Sequence, residues 1–104
     1  MYLELGSGKT LKDPSPDQIA DALSALPGGD GSSAILSWSP MVYIQCMGSE
    51  REGFVLEYQE GSLDKHFIAS DNHLSLAAVT RAFLSAANGD EGWRTQVAWE
   101  LEAL

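Results

Sequence analysis

Gly6-Ser7-Gly8-Lys9-Thr10 carries the G-K-[ST] ending of a phosphate-binding loop. The full signature places a glycine five residues before Gly8, where this chain has Leu3, and it opens a helix at the lysine. Lys12-Asp13-Pro14 interrupts the chain before such a helix could extend. The segment therefore reads as a loop, and no nucleotide or other cofactor is expected.

Cys46 is the single cysteine and lies between Ile44 and Met47 in an apolar run. A nucleophilic thiolate needs a neighbouring base and a positive setting. Neither histidine stands in a sequence relation to Cys46 that would supply one, so a buried structural thiol is expected. One cysteine also excludes an internal disulfide and a paired thiolate metal site. His66 and His73 each follow an acid by two positions, giving D-x-H…D-x-H with Asp64 and Asp71. That set could ligate a metal only if the loop folded back on itself, and helical i, i+4 spacing is absent. Solvated histidines beside carboxylates are expected, with no metal bound.

Glu50, Glu52, Glu57, Glu60, Asp64 and Asp71 make the middle of the chain acidic. Acid–base catalysis by a carboxylate pair needs a pocket that pushes two pKa values apart, and nothing in the sequence points to one. No catalytic residue is assigned and the chain is not read as an enzyme. Trp38, Tyr43 and Tyr58 are interleaved nearby, and aromatic anchors ringed by charge characterise protein interfaces. The candidate partner-binding residues are Glu57, Glu60 and Asp64 as charged contacts, Tyr58 as an anchor, and His66 and Asp71 beside them.

These residues must be positioned by a small set of elements. Tyr2 to Leu5 alternates weakly, as a short edge strand would, and Gly6 to Pro14 reads as loop. Ser15, Pro16 and Gln18 form an S-x-x-Q capping box with proline at the first helical position, ahead of an apolar stripe of Ile19, Ala22, Leu23 and Leu26. Pro27-Gly28-Gly29 ends that helix. Strands are expected over 33–38, 41–47, 54–59 and 64–69, with Phe54, Leu56 and Tyr58 on one face of the third. Their short connections imply an antiparallel meander. A second helix follows, capped by Ser75 or Asn72, buried through Leu76, Val79, Ala82, Phe83 and Ala86, and stopped at Asn88-Gly89. Residues 93–104 fit either a strand or a helix, and the two tryptophans with Thr95 and Val97 favour a strand. The fold class is α+β: an antiparallel sheet of four to six strands with two helices on one face.

The 104 residues make a single domain over residues 1–104, long enough for a core without staples. Fifteen acidic residues oppose six basic ones, for a net charge of −9. Phosphate backbones and anionic membrane surfaces are repelled by that balance, so neither nucleic acid nor membrane is an expected partner. A basic protein is, although acidity also serves plain solubility. No apolar run approaches a membrane span and no signal peptide is visible, so a cytoplasmic location is expected.

G-F-V-L-E-Y-Q-E-G from Gly53, H-F-I-A from His66, a helix ending A-F-L-S-A-A-N-G-D, and W-R-T-Q-V-A-W-E from Trp93 together resemble the bacterial Imm1-type immunity proteins. The resemblance covers mainly residues 53–100 and only loosely the first helix and strands. It implies a small α+β protein that binds and neutralises a cognate toxin of a polymorphic toxin system, commonly a deaminase or nuclease acting on nucleic acid. Trp99 matches a late tryptophan of that family. A second class of small acidic α+β binder, the secretion chaperones that hold an effector segment, is the alternative, and the oligomeric state is open between monomer and dimer.

Overall fold

The structure, a computed structural model, describes residues 1–102. Along the chain run β1 (Tyr2–Leu5), β2 (Thr10–Lys12), α1 (Pro16–Ser24), β3 (Ser33–Ser39), β4 (Val42–Ser49), β5 (Gly53–Glu60), a 3-10 turn (Leu63–Lys65), β6 (His66–Ala69), α2 (Leu76–Asn88), α3 (Gly92–Gln96) and β7 (Trp99–Leu101). The strands form one seven-stranded sheet in the order β2-β1-β3-β4-β5-β6-β7. Every pairing is antiparallel.

The local signals explain where elements begin and end. The Ser15 side chain accepts from the Gln18 N–H while Gln18 reaches back to the Ser15 N–H, so both halves of the capping box form. Ser75 caps α2, and Gly89 closes it in the left-handed conformation at φ 80°. In the β4–β5 hairpin, Gly48 sits at φ 125°, and a Cβ there would lie 2.1 Å from the Gly53 carbonyl oxygen. Only glycine fits that approach.

The α+β antiparallel architecture is as the sequence implies, but the sheet has seven strands rather than four to six, and there are three helices rather than two. Two local differences account for this, and a third shortens β6. Thr10–Lys12 is not loop: it pairs with β1 as an edge strand, which leaves β1 inside the sheet. Asp64 and Lys65 belong to the 3-10 turn, so β6 starts only at His66. The tail divides into α3 and β7, so Trp93 is helical while Trp99 is in a strand; residues 103 and 104 of the expected tail strand lie outside the described residues.

One face of the sheet carries the core. Leu3, Leu36, Ile44, Cys46, Phe54 and Leu56 are fully buried against Ile19 and Leu23 of α1 and Val79 and Phe83 of α2. Phe54, Leu56 and Tyr58 share that face as expected. The other face reads as transverse rows set by register. One row runs Glu4, Ile35, Gln45, Glu57, Ile68, Glu100; the next runs Tyr2, Ser37, Tyr43, Gln59, His66.

Two tests follow from this packing. Phe83→Ala removes a fully buried ring and should lower unfolding free energy by about 3–5 kcal/mol in chemical denaturation; a loss under about 1 kcal/mol would show that the core does not close on that ring. Burial pushes the Cys46 thiol up to about 12. It should therefore stay unmodified by a thiol reagent at pH 8 in the folded protein and react fully once denaturant is added.

Candidate functional site

The polar rows cross β4, β5 and β6 and converge on a buried network. Gln59 is its hinge. The Met41 carbonyl, which can only accept, lies 3.2 Å from Gln59 Nε2, so that end of the amide donates. Gln59 Oε1 consequently turns to the Tyr43 hydroxyl at 3.3 Å and to His66 Nδ1 at 3.0 Å. An amide oxygen accepts, so Nδ1 carries the proton. The opposite nitrogen, His66 Nε2, faces two carboxylates: Glu57 Oε2 at 3.4 Å and Glu102 Oε1 at 3.4 Å. Glu57 Oε1 in turn accepts from Gln45 Nε2 at 2.6 Å.

Glu57, Gln59 and His66 are all buried. A hydrogen bond shared with Glu57 raises the Glu102 carboxyl above its ordinary range, helped by burial and the Glu57 charge and opposed by His66. Burial, and then Glu57, likewise raises the Tyr43 phenol. One ligand-type atom each from Glu57, His66 and Glu102 lies within 4.8 Å of the other two.

The backbone at Met41 holds this network in register. Met41 adopts φ 66°, a left-handed conformation rare outside glycine, at the turn between β3 and β4. Its carbonyl accepts both the Gly61 N–H at 2.9 Å and the Gln59 amide. Two donors from the far end of β5 thus hold the turn in place.

The six expected partner-binding residues do not share one surface. Glu57 and His66 lie in the buried network, so His66 is not the solvated histidine expected. Tyr58, a candidate anchor or core residue, points to the opposite face and is buried in the core. It stacks on Phe67 at 4.8 Å between centroids and meets Trp93 and Trp99 edge-on. Alternation explains the split, since neighbours on a strand face opposite ways. The Glu60 carboxylate binds the Arg94 guanidinium, which also engages Glu91 and lies over the Trp93 ring. Asp64 is exposed in the 3-10 turn, where the Ser62 hydroxyl holds its carboxyl below the usual range. Asp71 is exposed and accepts from the His73 N–H at 2.8 Å.

Gln45, Gln59, Met41 and Glu102 carry the site and were not singled out from sequence. The alternation Glu57-x-Gln59 opposite Tyr43-x-Gln45 was available as a signal, because a hairpin register pairs them. Glu102 had none. Beside the network, Tyr2, Ile35, Ser37, Trp38, Met41 and Tyr43 line a shallow groove of about 670 Å³. Tyr2, Trp38, Met41 and Met47 are exposed. Comparison with known protein families, with curated proteins and with solved structures finds no match.

Gln59→Leu keeps the side chain's approximate size but strips partners from Met41, Tyr43 and His66. Unsatisfied buried polar groups cost about 1–3 kcal/mol, so equilibrium unfolding should register a loss in that range or above. An unchanged midpoint would mean the network contributes nothing to folding.

Proposed function

We propose that this domain is an immunity-type protein that neutralises a cognate bacterial toxin by covering it with the helix-free face of the sheet, the toxin being one that acts on nucleic acid. The observation that carries the reading is the make-up of that face. Glu4, Glu57 and Glu100 line one transverse row, and Tyr2 and Tyr43 stand in the next. Exposed Trp38 and Met41 close one end and exposed Met47 lies further along. Aromatic residues and methionine are the types enriched in protein interfaces.

Charge selects the class of partner. A protein that acts on nucleic acid presents lysine and arginine to phosphate. An acidic face on a chain of net charge −9 complements that cleft and speeds encounter. The sequence resemblance to immunity proteins over residues 53–100 supports the toxin as the partner.

The contacts proposed here differ from those expected from sequence. Glu4 and Glu100 are exposed acids on the proposed face, whereas Glu60 is engaged by Arg94. The test uses the purified product of the adjoining gene and measures association rates across ionic strength. Glu4→Lys with Glu100→Lys should slow association and flatten its salt dependence, and Trp38→Ala should weaken affinity by roughly 1–2 kcal/mol or more. Salt-insensitive binding left untouched by all three substitutions would sink the proposal. Binding only to an unfolded, apolar segment would favour a chaperone instead.

A further inference from the structure

We infer that Glu57, His66 and Glu102 form a binding site for one divalent first-row transition metal, of which zinc fits best. The three side chains come from β5, from β6 and from the residue just after β7, so the sheet itself brings them together. What marks the cluster is the direction of the histidine. Gln59, oriented by the Met41 carbonyl, accepts a hydrogen bond from Nδ1–H and so leaves Nε2 to present its lone pair when the ring is neutral. That lone pair looks onto carboxylate oxygens, at 3.4 Å from Glu57 and 3.4 Å from Glu102. Each of the three groups accepts when deprotonated, so a metal ion or a shared proton must lie where they converge.

The two nitrogen–oxygen separations match a metal's ligand shell, and all three donor atoms lie within 4.8 Å of one another. Zinc binds imidazole nitrogen and carboxylate oxygen at about 2.1 Å, and a tetrahedron of that bond length has edges of about 3.4 Å. One nitrogen and two oxygen donors suit zinc and its borderline neighbours, whereas calcium and magnesium favour all-oxygen sets. The surrounding bonds are those that support a metal ligand. The far nitrogen of the histidine donates to Gln59, and the far oxygen of Glu57 accepts from Gln45 at 2.6 Å. Such contacts fix ring orientation and tautomer before the ion arrives.

The cluster also has an entrance. The His66 and Glu57 side chains are 4% and 10% exposed, while that of Glu102 is 32% exposed. An ion can therefore enter past Glu102. Three protein ligands leave a coordination position for water or an incoming donor, as in open zinc sites. The rival occupant of the same point is a proton, which would make His66 an imidazolium between two carboxylates. The metal site stands or falls independently of the toxin partner.

The experiment uses tag-free full-length protein, stripped with a chelator and titrated with zinc by calorimetry, with elemental analysis after dialysis. About one zinc per chain should be retained, and cobalt(II) should give the visible bands of a four- or five-coordinate N/O site. Glu102→Gln, at the exposed end of the cluster, should weaken zinc at least about tenfold. His66→Ala should abolish uptake, and His73→Ala, which changes the other histidine, should leave it intact. Zinc should raise the Tm of the parent protein by more than that of Glu102→Gln at the same zinc concentration. No stoichiometric uptake would overturn the site in favour of the proton, and uptake unaffected by Glu102→Gln would overturn it in favour of a site elsewhere. Loss on His73→Ala would do so in favour of adventitious surface binding. If His66→Ala does not fold, Glu102→Gln decides.

Discussion

Strand β5 is buried on both faces, and the two faces make opposite demands. Toward the helices, Phe54, Leu56 and Tyr58 lie in the apolar core, where close packing and loss of water-exposed area drive folding. On the other side Glu57 and Gln59 are as shielded from water, with no apolar compensation. Their burial is tolerable because Gln45 donates to Glu57 from one neighbouring strand and His66 donates to Gln59 from the other. Low local polarity strengthens these bonds and raises the penalty for losing any one. The register of β4, β5 and β6 is thereby tied down from both sides, since a slip of one residue would put carboxylate and amide into the core.

The right-hand edge of the sheet depends on a second, aromatic arrangement. Tyr58 meets Phe67, Trp93 and Trp99 with ring separations between 4.6 and 4.8 Å, and Trp93 meets Trp99 edge-on at 6.1 Å. Contacts of this geometry add to what burial alone provides. The Arg94 guanidinium covers the cluster while binding Glu60 and Glu91. This cluster holds the three-residue β7 against β6, and β7 delivers Glu102 to His66. A polar cluster on one face of the sheet is thus assembled by aromatic packing on the other.

Charge works on a longer scale. A net charge of −9 on 104 residues opposes compaction through self-repulsion, and placing four carboxylates on one sheet face concentrates that repulsion. A cation would relieve it, whether the proposed ion between Glu57 and Glu102 or basic side chains of the proposed partner over Glu4 and Glu100. The two forms of relief act at different depths. The first reaches buried oxygens in a weakly screened setting, and the second acts at an exposed rim where salt competes.

Local chemistry was decisive for the elements whose signals lie within a few residues. The box of Ser15 with Gln18, the left-handed stop at Gly89, the alternation through Phe54, Leu56 and Tyr58 and the burial of Cys46 could all be read directly, because capping, turn conformation and strand alternation are short-range effects. The tail could not, because Trp93, Val97 and Leu101 satisfy helix and strand periods alike and only the meeting of Trp93 and Trp99 around Tyr58 selects α3 followed by β7. The 10–12 strand escaped for a similar reason: three residues carry no periodicity, and pairing with β1 alone makes them a strand. The site was legible only in fragments. Glu57 and His66 stood out as candidate contacts, but which faces they occupy, that Tyr58 turns away from them, and that Glu102 arrives beside them are consequences of sheet register. Register is set by contacts between residues as far apart as Gln45 and Glu57 or Ile68 and Glu100, and no stretch of chain encodes those by itself.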